Sequence, residues 1–167
     1  MLGFVGLGYM GSRMAMRLLS SGHALGVYNR TPERTRPFAD RGARVYDSVS
    51  ELAREVDVVL TMLPEDSAVE QVVLGPAGVV SGARAGTTLI DLSSVHPDTS
   101  RRIASAAAHS DVAVLDAAVS GSTPQQKKAR SSCSSAAVGQ PSSVVDRSSR
   151  CCLTTCSTSA PTAPARP

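Results

Sequence analysis

Apolar and polar residues alternate in blocks along the first 116 residues, and the blocks switch between the spacing of strands and that of helices. Short apolar runs predict strands at residues 2–5, 24–28, 43–46, 57–63, 87–91 and 112–116. Apolar residues at helical spacing, or capping residues, predict helices at residues 9–21, 32–42, 48–56, 67–74 and 97–109. This alternation of strand and helix predicts a doubly wound α/β domain with a mostly parallel sheet.

Several boundaries of these elements carry signals of their own. The run at residues 57–63 is almost continuously apolar, which predicts a parallel strand that is buried on both faces. Thr31 precedes a proline, a pair that predicts a helix with Thr31 as its N-cap. Ser48 or Ser50 is expected to cap the next helix, and the Gly-Pro-Ala-Gly sequence at residues 75–78 predicts a turn.

The periodicity stops at Thr123. Beyond residue 130 the chain is rich in Ser, Thr, Ala and Pro. Such a segment has too little apolar surface to offset the entropy lost on ordering. We therefore expect one α/β domain over residues 1–124 and a low-complexity tail over residues 125–167, disordered and not a domain.

Charge and cysteine content exclude several classes of protein. The formal net charge of +3 belongs to the tail, since residues 1–122 carry −2 and residues 123–167 carry +5, so no nucleic-acid-binding face is expected. No apolar run is long enough to span a membrane and no basic segment opens a signal peptide, so we expect a cytoplasmic chain. All four cysteines lie in the last 35 residues, without a second ligand pair or a nearby His, so no metal site is expected.

Three glycines follow the first strand at the spacing G-x-G-x-x-G and lead directly into a helix. Gly6 allows a tight turn, Gly8 lets the backbone approach a pyrophosphate, and Gly11 lets the helix pack close to the strand. The dipole and unpaired N–H groups of a helix N-terminus favour an anion there. The loop predicts a dinucleotide site of the Rossmann type, and its other residues are Leu7, Tyr9 and Met10.

The second strand ends in Asn29-Arg30-Thr31, where dinucleotide-binding folds normally place an acidic residue that binds the ribose hydroxyls. An amide in place of the carboxylate, followed by a guanidinium, suits a 2′-phosphate, because arginine binds phosphate by charge and by paired hydrogen bonds. The alternative is that Arg30 is an ordinary solvated residue of a surface loop. The residues favour NADP over NAD as the cofactor.

Three further loops follow predicted strands at the carboxyl edge of the sheet, where ligands bind in open α/β folds. They contain Leu63-Pro64, Ser93-Ser94 and Ser120-Gly121. Taken singly, each loop is explained by ordinary structure, namely a strand stopped by proline, a helix cap and a turn. The three histidines are expected to be surface residues, so none is predicted to be a catalytic base.

Together these stretches resemble the 3-hydroxyacid dehydrogenase family, which includes 3-hydroxyisobutyrate dehydrogenase and is related to 6-phosphogluconate dehydrogenase. The matching segments, in chain order, are residues 3–11, 29–31, 62–64, 91–99 and 116–122. Five motifs in the right order are much more specific than any one of them. The resemblance implies part of an oxidoreductase that transfers a hydride between NADP(H) and a short 3-hydroxyacid.

The resemblance also implies roles for single residues. Contacts with the cofactor's phosphates and ribose are implied for Gly6, Gly8, Gly11, Asn29, Arg30 and Thr31. The nicotinamide side is implied to consist of Leu63, Pro64 and Ser94. Contacts with the substrate carboxylate are implied for Ser120 and Gly121.

The sequence departs from the family after the Ser-Gly loop. Members of the family continue with a helix that opens on Gly-x-Gly-x-x-x-Lys, whose lysine is the general acid or base, and with an all-helical domain that completes the site and the dimer. Neither is found in this sequence, and Lys127 and Lys128 are expected to be solvated loop residues. We therefore expect no catalytic residue and a catalytically incomplete chain, and the change near residue 125 indicates a truncated or frame-shifted reading of a longer gene. The alternatives are a relative of the glyoxylate or imine reductases and a non-catalytic nucleotide-binding module.

Overall fold

A computed structural model describes residues 1–120, 132–133 and 136–137. Its strands, in chain order, are β1 (Leu2–Val5), β2 (Leu25–Tyr28), β3 (Arg44–Val45), β4 (Val58–Thr61), β5 (Thr88–Asp91), β6 (Ala113–Asp116), β7 (Val119–Ser120), β8 (Ser132–Cys133) and β9 (Ala136–Ala137). Apart from β8 and β9, the predicted tail lies outside the described residues, so its expected disorder and the boundary at residue 124 stay predictions.

Helices connect the parallel strands, because the chain must return to the opposite end of the sheet before it can form a parallel neighbour. They are α1 (Gly11–Ser20), α2 (Arg36–Ala39), α3 (Val49–Glu55), α4 (Asp66–Leu74), α5 (Val79–Gly82) and α6 (Pro97–Ala108), with a 3-10 turn at Pro32–Thr35. Within the described residues, no helix combines the length and apolar character needed to cross a membrane.

The main sheet has the strand order β3-β2-β1-β4-β5-β6-β9, in which all pairs are parallel except the last. The strand β1 pairs with β2 on one side and with β4 on the other, so that Leu2 lies opposite both Leu25 and Val58. The chain therefore builds outward from β1 in one direction, then crosses over and builds in the other. The point of reversal, at the carboxyl ends of β1 and β4, is where such folds bind ligands. The predicted doubly wound fold is confirmed.

Both faces of the sheet are covered by helices. In β1 the side chain of Phe4 packs into the core beneath α1 and α2, whereas Val5 packs into the core beneath α3, α4 and α6. Successive side chains of a strand point to opposite faces, so a strand covered on both sides must be apolar throughout. All four residues of β4 are buried, as the apolar run at residues 57–63 predicts.

The predicted helix at residues 32–42 is wrong in its details, because it is split in two. Pro32–Thr35 forms a 3-10 turn and α2 starts only at Arg36. Pro37 has no N–H to donate, so it cannot continue the hydrogen-bonding pattern of one unbroken helix. Thr31 has extended backbone and makes no capping hydrogen bond with its side chain, whereas the Thr35 hydroxyl donates to the carbonyl of Pro32 at 2.7 Å.

Of the other local features, the cap of α3 agrees with its prediction and the helix α5 does not appear among the predicted elements. The Ser48 hydroxyl accepts a hydrogen bond from the N–H of Glu51 at 3.2 Å, which confirms Ser48 as the cap of α3. The short helix α5 was not predicted. Four residues are too few to show helical periodicity, and α5 is specified by packing: a Cβ on Gly82 would lie 2.3 Å from the carbonyl oxygen of Ser50.

The crossing of β1 and α1 leads to the first testable prediction. A Cβ on Gly11 would lie 2.0 Å from the carbonyl oxygen of Gly6, an overlap that only a backbone shift relieves. We expect Gly11→Ala to lower the free energy of unfolding by about 1–3 kcal/mol, measured by denaturant unfolding. Gly8→Ala is the matched control, because a Cβ there meets no atom within 4 Å. Equal stability of the two variants would contradict this account of the crossing.

Candidate dinucleotide-binding site

A cleft of about 670 Å³ lies at the carboxyl ends of β1, β2 and β4. This volume is within the range of about 300–1,000 Å³ that is typical of small-molecule sites. The predicted site residues that line it are Gly6, Gly8, Tyr9, Met10, Gly11, Asn29, Arg30, Thr31, Leu63 and Pro64. The structure thus brings three separate sequence motifs to one surface. Leu7, which is predicted to belong to the same site, is buried and its N–H is bonded to Asn29, so its predicted contact with the cofactor stays a prediction.

The glycine loop has the form of a phosphate cradle. Gly6 has a φ of 96°, a conformation that residues with a side chain rarely adopt, and a Cβ there would lie 2.3 Å from the carbonyl oxygen of Met62. A Cβ on Gly8 would project into open space at a residue that lines the cleft. Met10, the residue before α1, makes no capping hydrogen bond with its side chain, and no acidic residue lies in the first turn. The absence of side chains at Gly6 and Gly8, next to the start of a helix, leaves room for a pyrophosphate.

Asn29 joins the end of β2 to the glycine loop. Its Oδ1 accepts a hydrogen bond from the N–H of Leu7 at 2.8 Å, and its Nδ2 donates to the carbonyl of Thr31 at 3.0 Å. A carboxylate at this position has no proton to donate to Thr31, so the amide suits the loop better than Asp does. Asn29 therefore positions the loop, and its predicted contact with the cofactor stays a prediction.

Two arginines stand at the rim of the cleft beyond β2. Arg30 and Arg34 both line the cleft, and Nη1 of Arg34 donates to the carbonyl of Leu7 at 3.4 Å. In the part of the chain that the structure describes, neither guanidinium forms an ion pair with a carboxylate. Arg34 was missed in the sequence, since the extended backbone of Thr31 separates it from Arg30 and no helical spacing relates the two residues.

The opposite wall of the cleft consists of Leu63 and Pro64, which follow β4. The N–H of Leu63 donates to the hydroxyl of Ser93 at 2.9 Å. Ser93 follows β5 and is fully buried, with 0% of its surface exposed. Ser94, the serine that the sequence analysis selected, is exposed and is not among the residues that line the cleft. Its predicted place beside the nicotinamide stays a prediction.

Sequence reasoning missed the role of Ser93, which is indicated only once the burial of Asp91 is known. Residues at positions i and i+2 of an extended segment lie on the same side. Asp91 is the last residue of β5 and is buried, so Ser93 is the serine expected to turn inward with it. Further residues that line the cleft were not among the predicted site residues: Ser48, Val49, Ala68, Gln71 and Val72.

Asp91 is a buried carboxylate behind the wall, with 4% of its surface exposed. Its Oδ1 accepts hydrogen bonds from the hydroxyl of Thr61 at 2.8 Å and from the N–H of Ser93 at 3.1 Å. Burial raises the pKa of Asp91, and the nearby carboxylate of Asp116 raises it further, while the hydrogen bonds from Ser93 and Thr61 oppose the rise.

The substrate side of the predicted site is only partly described. The backbone of Ser120 belongs to β7, which pairs antiparallel with β8 so that Ser120 lies opposite Ser132. Gly121 lies outside the described residues. The predicted contacts of Ser120 and Gly121 with a substrate carboxylate stay predictions.

The remaining polar groups at this edge have structural partners. His96 caps α6, because its Nδ1 accepts a hydrogen bond from the N–H of Asp98 at 3.3 Å, and its own N–H donates to Asp66 at 2.8 Å. Over residues 1–120 and the two short strands beyond, no group of three or more His, Cys, Asp or Glu side chains is arranged to hold a metal ion.

The strand order, the cleft at the reversal point and the glycine loop define a Rossmann-type dinucleotide-binding domain. Comparison with protein families agrees with this, since residues 1–156 match the model of the NAD binding domain of 6-phosphogluconate dehydrogenase. The chain belongs to this family.

The relatives include dehydrogenases of hydroxyacids and also the cytokine-like nuclear factor N-PAC of Homo sapiens, to which the chain is 37% identical over 120 residues, or 72% of this chain and 22% of the relative. The chain is 38% identical over 120 residues to 3-hydroxyisobutyrate dehydrogenase of Pseudomonas aeruginosa, an alignment that covers 72% of this chain and 40% of the relative. The chain therefore spans about two fifths of the length of that relative. The resemblance to the 3-hydroxyacid dehydrogenase family is confirmed.

Solved structures share the fold. The 3-hydroxyisobutyrate dehydrogenase of Mycobacterium tuberculosis with L-serine superposes with a TM-score of 0.73 at 30% identity, over 80% of this chain and 45% of that one. Psf3 in complex with NADP+ and 2-OPP superposes with a TM-score of 0.76 at 26% identity, over 80% of this chain and 47% of that one.

The buried carboxylate predicts a pH dependence of stability. Because the pKa of Asp91 is higher in the folded chain than in the unfolded one, the folded state holds this proton more tightly. The contribution of Asp91 to the free energy of unfolding is therefore greatest below the ordinary Asp pKa of about 3.9 and declines as pH rises through the folded pKa.

Denaturant unfolding of the wild-type chain and of Asp91→Asn, from about pH 4 to pH 8, measures this difference. Asn cannot titrate and keeps a carbonyl oxygen as acceptor. We expect the stability of Asp91→Asn to improve relative to wild type as pH rises and then to level off. A difference that is constant over this range would show that Asp91 titrates normally.

Proposed function

We propose that this chain is the NADP(H)-binding part of an oxidoreductase that transfers a hydride between NADP(H) and a short 3-hydroxyacid of the 3-hydroxyisobutyrate type. The observation that carries the cofactor assignment is the pair of arginines at the rim. Arg30 and Arg34 both line the cleft and have no carboxylate partner among the described residues.

The charges at this end of the cleft favour a phosphate over a free hydroxyl. NAD-binding folds use an acidic residue after the second strand to accept hydrogen bonds from the ribose. Here the corresponding residue is Asn29, whose side chain is bonded to the protein on both sides. Two guanidinium groups that have no carboxylate partner among the described residues then supply the positive charge that a 2′-phosphate needs.

The hydroxyacid assignment is supported by relatives. Pseudomonas aeruginosa 3-hydroxyisobutyrate dehydrogenase is 38% identical to this chain, and the Mycobacterium tuberculosis enzyme of the same name shares its fold. The bound nicotinamide supplies or accepts the hydride. The chain's own residues provide the phosphate cradle at Gly6–Gly11 and the wall of Leu63 and Pro64, and Ser94, Ser120 and Gly121 are the proposed contacts with nicotinamide and substrate.

Fluorescence titration with NADPH and with NADH tests the cofactor assignment. We expect tighter binding of NADPH, and we expect Arg30→Ala and Arg34→Ala each to weaken NADPH binding about 10- to 100-fold, the effect of losing a hydrogen bond to a charged group. Binding of NADH should change less than about twofold, because NADH has no 2′-phosphate.

Arg17→Ala is the control for general loss of positive charge, since Arg17 is exposed on α1 and does not line the cleft. Tighter binding of NADH by the wild-type chain, or equal weakening by Arg17→Ala, would refute the assignment of NADP.

Turnover tests the second half of the proposal. The sequence contains no Gly-x-Gly-x-x-x-Lys segment, and a general acid or base typically contributes about 10²–10⁴-fold to a rate. We expect the chain to bind NADPH but to show little or no NADP-dependent oxidation of 3-hydroxyisobutyrate in an absorbance assay at 340 nm, where NADPH absorbs.

Glyoxylate and cyclic imines, assayed as substrates under the same conditions, test the alternative that the chain is a relative of the glyoxylate or imine reductases. Robust turnover of any of these substrates by the chain would show that it contains a complete catalytic site.

A further inference from the structure

A buried set of hydrogen bonds lies behind the wall of the cleft. Thr61 at the end of β4 donates to Asp91 at the end of β5, at 2.8 Å. The same carboxylate oxygen accepts the N–H of Ser93 at 3.1 Å, and the Ser93 hydroxyl accepts the N–H of Leu63 at 2.9 Å. Thr61 and Ser93 are fully buried and Asp91 is nearly so. The bonds run from the buried ends of two strands to Leu63, which is half-buried and lines the cleft.

The hydrogen bond to Leu63 lies just beyond the last backbone pairing between β1 and β4. The N–H of Met62 still donates to the carbonyl of Val5 at 3.0 Å, as a continuation of the pairing between β1 and β4. Pro64 has no N–H, and α4 starts only at Asp66. The amide of Leu63 is therefore the donor that is best placed to hold the wall, and Ser93 is its acceptor.

The wall is pressed against the glycine loop. A Cβ on Gly6 would lie 2.3 Å from the carbonyl oxygen of Met62 and 3.0 Å from Cδ2 of Leu63. Close packing of this kind transmits small displacements. A change in the position of Leu63 therefore alters the width of the cleft where β4 ends.

The network lies on one side of the reversal point and the arginines on the other. The strand order is β2-β1-β4-β5, so Asn29, Arg30 and Arg34 follow β2, whereas Leu63 and Ser93 follow β4 and β5. A dinucleotide lies across this crevice with one nucleoside on each side. In the proposed binding mode the 2′-phosphate of the cofactor lies at Arg30 and Arg34. The nicotinamide therefore lies beside the wall that contains Leu63.

We infer that Ser93 is a positioning residue for the nicotinamide half of the cofactor, because its buried hydroxyl holds the amide of Leu63 and so sets the wall of Leu63 and Pro64. Asp91 assists by holding the backbone of Ser93. The inference rests on the proposed function, since it concerns the same cleft and cofactor. The inference requires that loss of the Ser93 hydroxyl weaken binding of the nicotinamide half of the cofactor and leave binding of the adenosine half unchanged.

Two ligands distinguish binding of the nicotinamide half of the cofactor from binding of the adenosine half. NADPH contains both nucleosides, whereas 2′-phospho-ADP-ribose keeps the adenosine, the 2′-phosphate and the pyrophosphate but lacks nicotinamide. For Ser93→Ala, calorimetric titration should show about 5- to 10-fold weaker binding of NADPH and less than twofold change for 2′-phospho-ADP-ribose. The fluorescence of bound NADPH should move toward that of the free cofactor, because emission reports the surroundings of the reduced nicotinamide.

Ser67→Ala is the matched control, an exposed serine at the start of α4 that does not line the cleft, and neither ligand should bind it differently. Ser93→Cys provides a second variant that nearly keeps the volume of the side chain but accepts hydrogen bonds weakly. It should lie between wild type and Ser93→Ala, and it replaces Ser93→Ala if that variant fails to fold.

Equal weakening of both ligands, or no weakening of either, in the folded variants would overturn the role of Ser93 while leaving the proposed function intact. Failure of the wild-type chain to bind either ligand would refute the proposed function and this inference with it. Selective loss of NADPH binding supports both.

Discussion

The close approach of two backbones at the start of α1 is the constraint on which the rest of the structure depends. A Cβ on Gly11 would lie 2.0 Å from the carbonyl oxygen of Gly6, and one on Gly6 would lie 2.3 Å from that of Met62. Because no side chain stands between them, β1, α1 and the end of β4 meet at one point. That contact sets α1 on one face of the sheet and leaves the cleft free of side chains at Gly6, Gly8 and Gly11.

The two sides of the cleft are built from opposite kinds of chemistry. Beyond β2 the positive charges of Arg30 and Arg34 stand at the rim, where they can reach a ligand. Beyond β4 and β5 the carboxyl group of Asp91 is buried behind Leu63 and bonded to Thr61 and Ser93. An exposed carboxylate at this place would repel the phosphates of a dinucleotide. Burial raises the pKa of Asp91 and so favours its neutral form, which lessens this repulsion while the carboxyl group still anchors the wall.

Much of the fold could be predicted because its signals are local. Three predictions depend only on neighbouring residues, and each is confirmed. They are the apolar run that contains β4, the glycine spacing and the Ser48 cap. The helix at residues 32–42 was predicted incorrectly, because Pro37 lacks the N–H that one continuous helix needs there. The short helix α5 could not be predicted, since its position follows from contact between Gly82 and the distant Ser50.

The sequence by itself determined the class of fold, the glycine cradle and the position of Arg30 after β2, because periodicity and motif spacing are properties of nearby residues. Only the tertiary structure decided that Arg34 joins Arg30 at the rim and that Ser93 rather than Ser94 turns inward beneath Leu63. Two adjacent serines have identical chemistry, and the direction of each side chain is set by strands that lie far apart in the chain. Burial and long-range hydrogen bonding, which arise only when β4 and β5 lie side by side, made that choice.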